Sequence, residues 1–169
     1  MSTLTFDMIS RYAIERELLK VEEIKPLDVD NFVQSLGPGY AKPKYLQPNI
    51  GGRIPGCIPS KDITIKIGLK KDITIKIGLK NMTKWKKEVL DGINKNQTLG
   101  RGALGKLFEG QYHGLGHIII ARNCHTSNST SNGAGVMAYH QASARDPIFY
   151  RWHKHIDDIV QIYYDRQAP

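Results

Sequence analysis

Apolar residues recur at helical spacing in four separated stretches of this chain. Ile9, Tyr12, Ala13, Arg16 and Leu19 form an approximate stripe that predicts a helix over 4–23. No Gly or Pro interrupts it, and Pro26 ends it. Trp85, Val89 and Ile93 stand four apart and predict a second helix over 81–95. A third is expected over 112–122, closing on Ala121-Arg122. The last runs from about Pro147 to Tyr164. Asp146 just before it fits an N-cap, with Pro147 at the first helical position.

The segments between these stripes read differently. Residues 37–60 are rich in Gly and Pro, including Gly37-Pro38-Gly39, Gly51-Gly52 and Pro55-Gly56. They predict a long irregular loop. Residues 61–70 and 71–80 are identical, both Lys-Asp-Ile-Thr-Ile-Lys-Ile-Gly-Leu-Lys. The partial alternation and β-branched residues predict a strand in each copy, and two such strands can pair as a hairpin. Residues 103–108 form a short apolar stretch, and 123–135 a Ser/Asn/Gly/Thr-rich loop.

Length and composition narrow the picture. The 169 residues suit one domain or part of one, and 40% hydrophobic content supports a single core. The formal charge is +8, with lysines concentrated between Lys61 and Lys87. No nucleic-acid-binding motif accompanies that charge, so a solvated lysine-rich segment is expected and nucleic acid is not. Cys57 and Cys124 are expected to be free thiols. No apolar run is long enough for a membrane span, and the N-terminus lacks a signal-peptide pattern. Asn-x-Ser/Thr triplets begin at Asn81, Asn96 and Asn128.

Candidate chemistry rests on histidine. His113 and His117 stand four apart, on one stripe of a predicted helix, and His153 lies on the last helix. Three neutral imidazoles with an open position suit copper or zinc. His155, two residues on, points elsewhere and is expected at the surface; His125 and His140 fall in loops. Phe149 precedes His153 by four and shares its face, while Asp157 is expected to pair at the surface with Arg151 or Lys154.

The residues around His153 carry a resemblance. Asp146-Pro147-Ile148-Phe149-Tyr150-Arg151-Trp152-His153, followed by Ile156-Asp157, resembles the second-copper signature of arthropod hemocyanins and prophenoloxidases. Gly135-Val136-Met137 and Ala144-Arg145 match the approach to it, and His113-x-x-x-His117 lies where that family places the first two ligands. Arg11 to Arg16 resembles the helix after the family's first copper site. The resemblance is patchy from Arg11 to Tyr164, strong over Tyr112–Asp158 and weak over Asp30–Ser60.

The resemblance implies a mainly α fold, part of a helical-bundle copper domain over 1–169. In it, 37–60 is the loop, 61–80 the duplication with a possible short β segment, and 112–164 the second-copper helix pair. It implies copper held by His113, His117 and His153, with Glu109 as a nearby base. Gly114 stands where phenol-oxidising relatives often carry Asn. The family uses two coppers, each on three histidines, and no histidine precedes His113 here. The implied function is phenoloxidase-like oxidation of phenols to quinones with O2, incomplete or inactive in this chain alone. The alternatives are a hemocyanin-type oxygen-carrier fragment and a non-enzymatic degenerate paralogue. Implied partners are O2, phenolic molecules and further subunits of a hexamer-forming family. The implied location is extracellular without a classical signal peptide, or cytoplasmic for a stray fragment.

Overall fold

The two copies of the ten-residue repeat fold differently. Copy one contributes strand β2 (Thr64–Ile67), and copy two begins as β3 (Lys71–Thr74), then turns into helix α1 (Ile75–Asn94). In this computed structural model the described residues are 40–42, 44–45, 50–54, 60, 62–67, 71–94, 111–122, 125 and 134–166. The remaining elements are β1 (Ile50–Gly51), α2 (His113–Arg122), β4 (Ala134–Gly135) and α3 (Pro147–Asp165). Two 3₁₀ turns, Val136–Ala138 and Ser143–Arg145, join β4 to α3. The described part is mainly α, as expected.

The hairpin expected from the repeat is present. β2 and β3 pair antiparallel, with Thr64 opposite Thr74 and Ile65 opposite Ile73. Both isoleucines are buried. The helix, however, starts at Ile75 and not near 81. Thr74 accepts a hydrogen bond on Oγ1 from the Ile77 N–H (3.3 Å), which supplies a helix start. A long amphipathic continuation follows, with Ile75, Met82 and Val89 buried along one face. Extending an existing helix backward by a turn is easy, whereas nucleating one is not. Copy one leads instead into Lys71-Asp72-Ile73-Thr74, which offers strand.

The described residues of the Gly/Pro segment include paired backbone. Ile50 and Gly51 pair in parallel with Ala134 and Gly135. Tyr40 and Arg53 exchange two backbone hydrogen bonds of 2.9 and 2.8 Å. Gly52 is required there, because a Cβ would fall 2.3 Å from the Tyr40 carbonyl oxygen. The predicted helix over 4–23, the stretch 103–108, both cysteines, and Asn96 and Asn128 lie outside the described residues. Asn81 sits on α1.

The core lies where the hairpin, α1, α2 and α3 meet. Ile65, Ile75 and Met82 pack with Tyr112 just before α2, with Leu115 and Ile119 from α2, and with Ile148, Trp152 and Ile159 from α3. Gly116 of α2 sits directly against Trp152 of α3. A Cβ there would lie 2.2 Å from the Trp152 ring.

Candidate metal centre

α3 is fixed at its N-terminus before it reaches the site. Asp146 caps it, accepting on Oδ1 from the Ile148 N–H (3.0 Å), with Pro147 at the first helical position. Asp146 is also held by Arg53, whose Nη2 donates to Oδ1 (2.7 Å) and Nε to Oδ2 (3.2 Å). Both side chains are buried. This ion pair ties the β1 segment to the helix that carries His153. The cap was legible in the sequence. Arg53 was not, because it lies 93 positions away in a loop.

α2 brings His113 and His117 to one face, and α3 brings His153 against them. Their Nε2 atoms lie 3.0 Å (His113–His117), 3.1 Å (His113–His153) and 3.3 Å (His117–His153) apart. Tetrahedral ligation with metal–nitrogen bonds of ~2.0–2.1 Å separates ligand nitrogens by about 3.3 Å. The triad is therefore close to ligating geometry, and among the described residues it is the one cluster able to hold a metal ion.

The chemistry of the donors fits a cation as well. The Met137 carbonyl can only accept, so the His117 Nδ1–H donates to it (3.0 Å). That fixes the tautomer and leaves the His117 Nε2 lone pair facing its two neighbours. Burial pushes His113 down to about 4 and His153 to about 3, helped in both cases by the adjacent imidazoles. Burial also lowers His117, against the opposing effect of its bond to Met137. At neutral pH all three are uncharged bases. Where all three Nε2 atoms present lone pairs, they repel unless something positive sits among them.

Neighbouring aromatics hold the rings. Phe149 stacks on His153 with centroids 3.9 Å apart and meets His117 edge-on at 5.9 Å. The Trp152 Nε1–H donates to the His113 carbonyl (3.2 Å), a direct tie between α3 and the first histidine. Phe149 thus lies on the face predicted for it. His155 does not lie at the surface. It is buried, and the Tyr112 hydroxyl contacts its Nε2 at 2.8 Å. The bulk of Tyr112 and Trp152, stacked at 5.5 Å, covers it. Lys154 pairs with Asp158. His140 lines the same cavity as the triad without joining it. His125 bridges to Arg53 through its backbone. Glu109 lies outside the described residues.

The triad opens into a cavity of about 640 Å³, walled by Ile118, Phe149 and Met137, with Gly114 on its lining. No helix among the described residues is long and apolar enough to cross a membrane.

Comparison with known proteins agrees with this geometry. Residues 101–160 match the family described as hemocyanin, copper containing domain. A hemocyanin G chain from Aphonopelma sp. is 41% identical over 61 residues, covering 36% of this chain and 10% of the relative. Phenoloxidase 3 of Drosophila melanogaster is 30% identical over 105 residues, covering 48% and 15%. Phenoloxidase subunit 1 of Manduca sexta is 26% identical over 193 residues, covering 96% and 26%. The chain thus spans about a quarter or less of the length of each of these relatives. No solved structure matches significantly. The donor set and the family match together support copper as the metal. Over residues 101–160 the chain is similar to the copper-containing domain of hemocyanins, and its curated relatives include both hemocyanins and phenoloxidases.

Proposed function

We propose that His113, His117 and His153 hold one copper of a phenoloxidase-like centre that acts on phenolic molecules with O2. The observation that carries this reading is the convergence of three Nε2 atoms at the edge of a 640 Å³ cavity with an apolar wall. A single aromatic ring fits such a space. Bound copper would supply the redox chemistry, and the protein supplies orientation. His117 is held by the Met137 carbonyl, His153 is held by stacking on Phe149, and Phe149 with Ile118 offers an incoming ring an apolar surface.

The chain as given holds six histidines, and three of them make this triad. A phenoloxidase-like reaction needs a second three-histidine site, so activity is proposed only where one is supplied. Gly114 puts no side chain into the cavity, so nothing at that position can orient a water toward a phenolic hydroxyl. Oxidation of catechols is therefore favoured over hydroxylation of monophenols. Glu109 is the candidate to take the phenolic proton. Hexamer-type association and an extracellular location belong to this same reading.

Oxygen carriage is the second reading, because hemocyanin chains and phenoloxidases are similar to this chain at comparable identity. Copper loading beside a His113→Ala/His153→Ala control tests the shared part. About one copper per chain is expected, lost in the control. Equal copper in both proteins sinks the site. Catechol turnover after adding a second three-histidine site then separates oxidation from carriage.

A further inference from the structure

The duplicated segment is not absorbed by the metal site, yet it reaches the same cavity. Lys66, at the centre of β2, lines the 640 Å³ space together with Arg122 from the end of α2. Both side chains are exposed, so they stand at the mouth, while the histidines, Ile118 and Phe149 are half-buried further in. No Asp or Glu is among the cavity's described lining residues. Asp72 faces Lys66 across the hairpin, but the two form no ion pair within the described structure.

An apolar wall with two cations at its mouth selects for a ring carrying a negative charge at the end away from the metal. We propose that the cavity binds small aromatic carboxylates in preference to their neutral counterparts, with Lys66 and Arg122 as the specificity-determining residues. The repeat is then what gives the cavity this charge. Without a folded hairpin, Lys66 would have no fixed position over the mouth. The inference rests on the reading of triad and cavity as one substrate-binding centre, but not on copper being present.

Both cations would pair with the carboxylate in exposed positions, where water and salt screen the attraction. The expected preference is therefore about five- to tenfold at low salt. Calorimetric titration of the full chain with 4-hydroxybenzoate and with neutral 4-hydroxybenzyl alcohol measures it, on metal-free and copper-loaded protein alike. The metal-free arm reads the preference even if copper binding fails. Lys66→Gln/Arg122→Gln should equalise the two probes. Lys76→Gln/Lys87→Gln removes the same charge from exposed positions on α1 outside the cavity lining, and should keep the preference. Equal binding of both probes to the unaltered chain overturns the proposal. So does a preference that survives in Lys66→Gln/Arg122→Gln, or failure of both probes to bind.

Discussion

At the scale of single residues, two features of the triad are exposed to direct test. The first is Gly116, which lies between the two histidines of α2 and leaves no room for a methyl group against Trp152. Gly116→Ala must push Trp152 or open the helix pair. Overpacking of this kind costs about 1–3 kcal/mol. Since Trp152 also holds the His113 carbonyl, copper affinity should fall with stability. Urea unfolding and copper titration of the variant check both; unchanged values would mean that the helices are free to separate. The second is protonation. His113 at about 4 and His153 at about 3 both lie below the ordinary 6.5. As pH falls from 6.5, the unfolded chain takes up protons that the folded chain refuses. Stability of the metal-free protein is therefore full above pH 6.5 and declines below it, down to the folded values. The slope is roughly 1.4 kcal/mol per pH unit for each imidazole. Urea midpoints at pH 7 and pH 5 should show the decline, and His153→Asn should flatten it.

At the scale of elements, the sequence was most legible where a pattern is local. The Asp146-Pro147 start of α3, the i,i+4 pair on α2 and the position of Phe149 all follow from spacing within one helix. Long-range partners were hidden. Arg53 finds Asp146 only because Tyr40, Gly52 and β1 fold the loop back, and His155 is buried only because Tyr112 and Trp152 cover it. The repeat shows the limit most directly, since Ile-Lys-Ile is strand at 65–67 and helix at 75–77. Context decides it. If so, deleting residues 61–70 leaves one copy that must serve α1. Helix content by circular dichroism should persist, while loss of Ile65 and its pairing with Ile73 should lower stability by about 2–5 kcal/mol. A drop in helix content as large as α1 would mean that the hairpin holds the helix. The Arg53–Asp146 pair makes a sharper case. Arg53→Met leaves a buried carboxylate without its counter-charge, which costs about 3–5 kcal/mol. Arg53→Met/Asp146→Asn should recover part of that, because Asn still caps the helix and carries no charge. Unfolding of the two variants beside the unaltered chain decides it; a double variant no better than the single one would make the cap, and not the charge, the source of the loss.

At the scale of the molecule, the three histidines add a polar link between parts that also meet through the core and through the Trp152–His113 hydrogen bond. α2 gives two of the histidines, α3 gives the third, and the turn after β4 holds the His117 ring through Met137. A metal ion bound by all three therefore favours the arrangement in which these parts are docked, and it has no comparable site in the unfolded chain. Binding becomes folding stability by mass action. With free copper a hundredfold above its dissociation constant, the gain is about 2.7 kcal/mol. For a chain of this size that raises the melting temperature by on the order of 5–10 °C. His113→Ala/His153→Ala removes two of the three positions, so copper should leave its melting temperature unchanged. Zinc, which shares the preference for imidazole, should stabilise the unaltered chain in the same direction, whereas magnesium, which prefers oxygen ligands, should not. Equal shifts with copper in the unaltered chain and the variant would place the metal somewhere other than the triad. No shift in either would mean that α2 and α3 do not meet in solution as they do here.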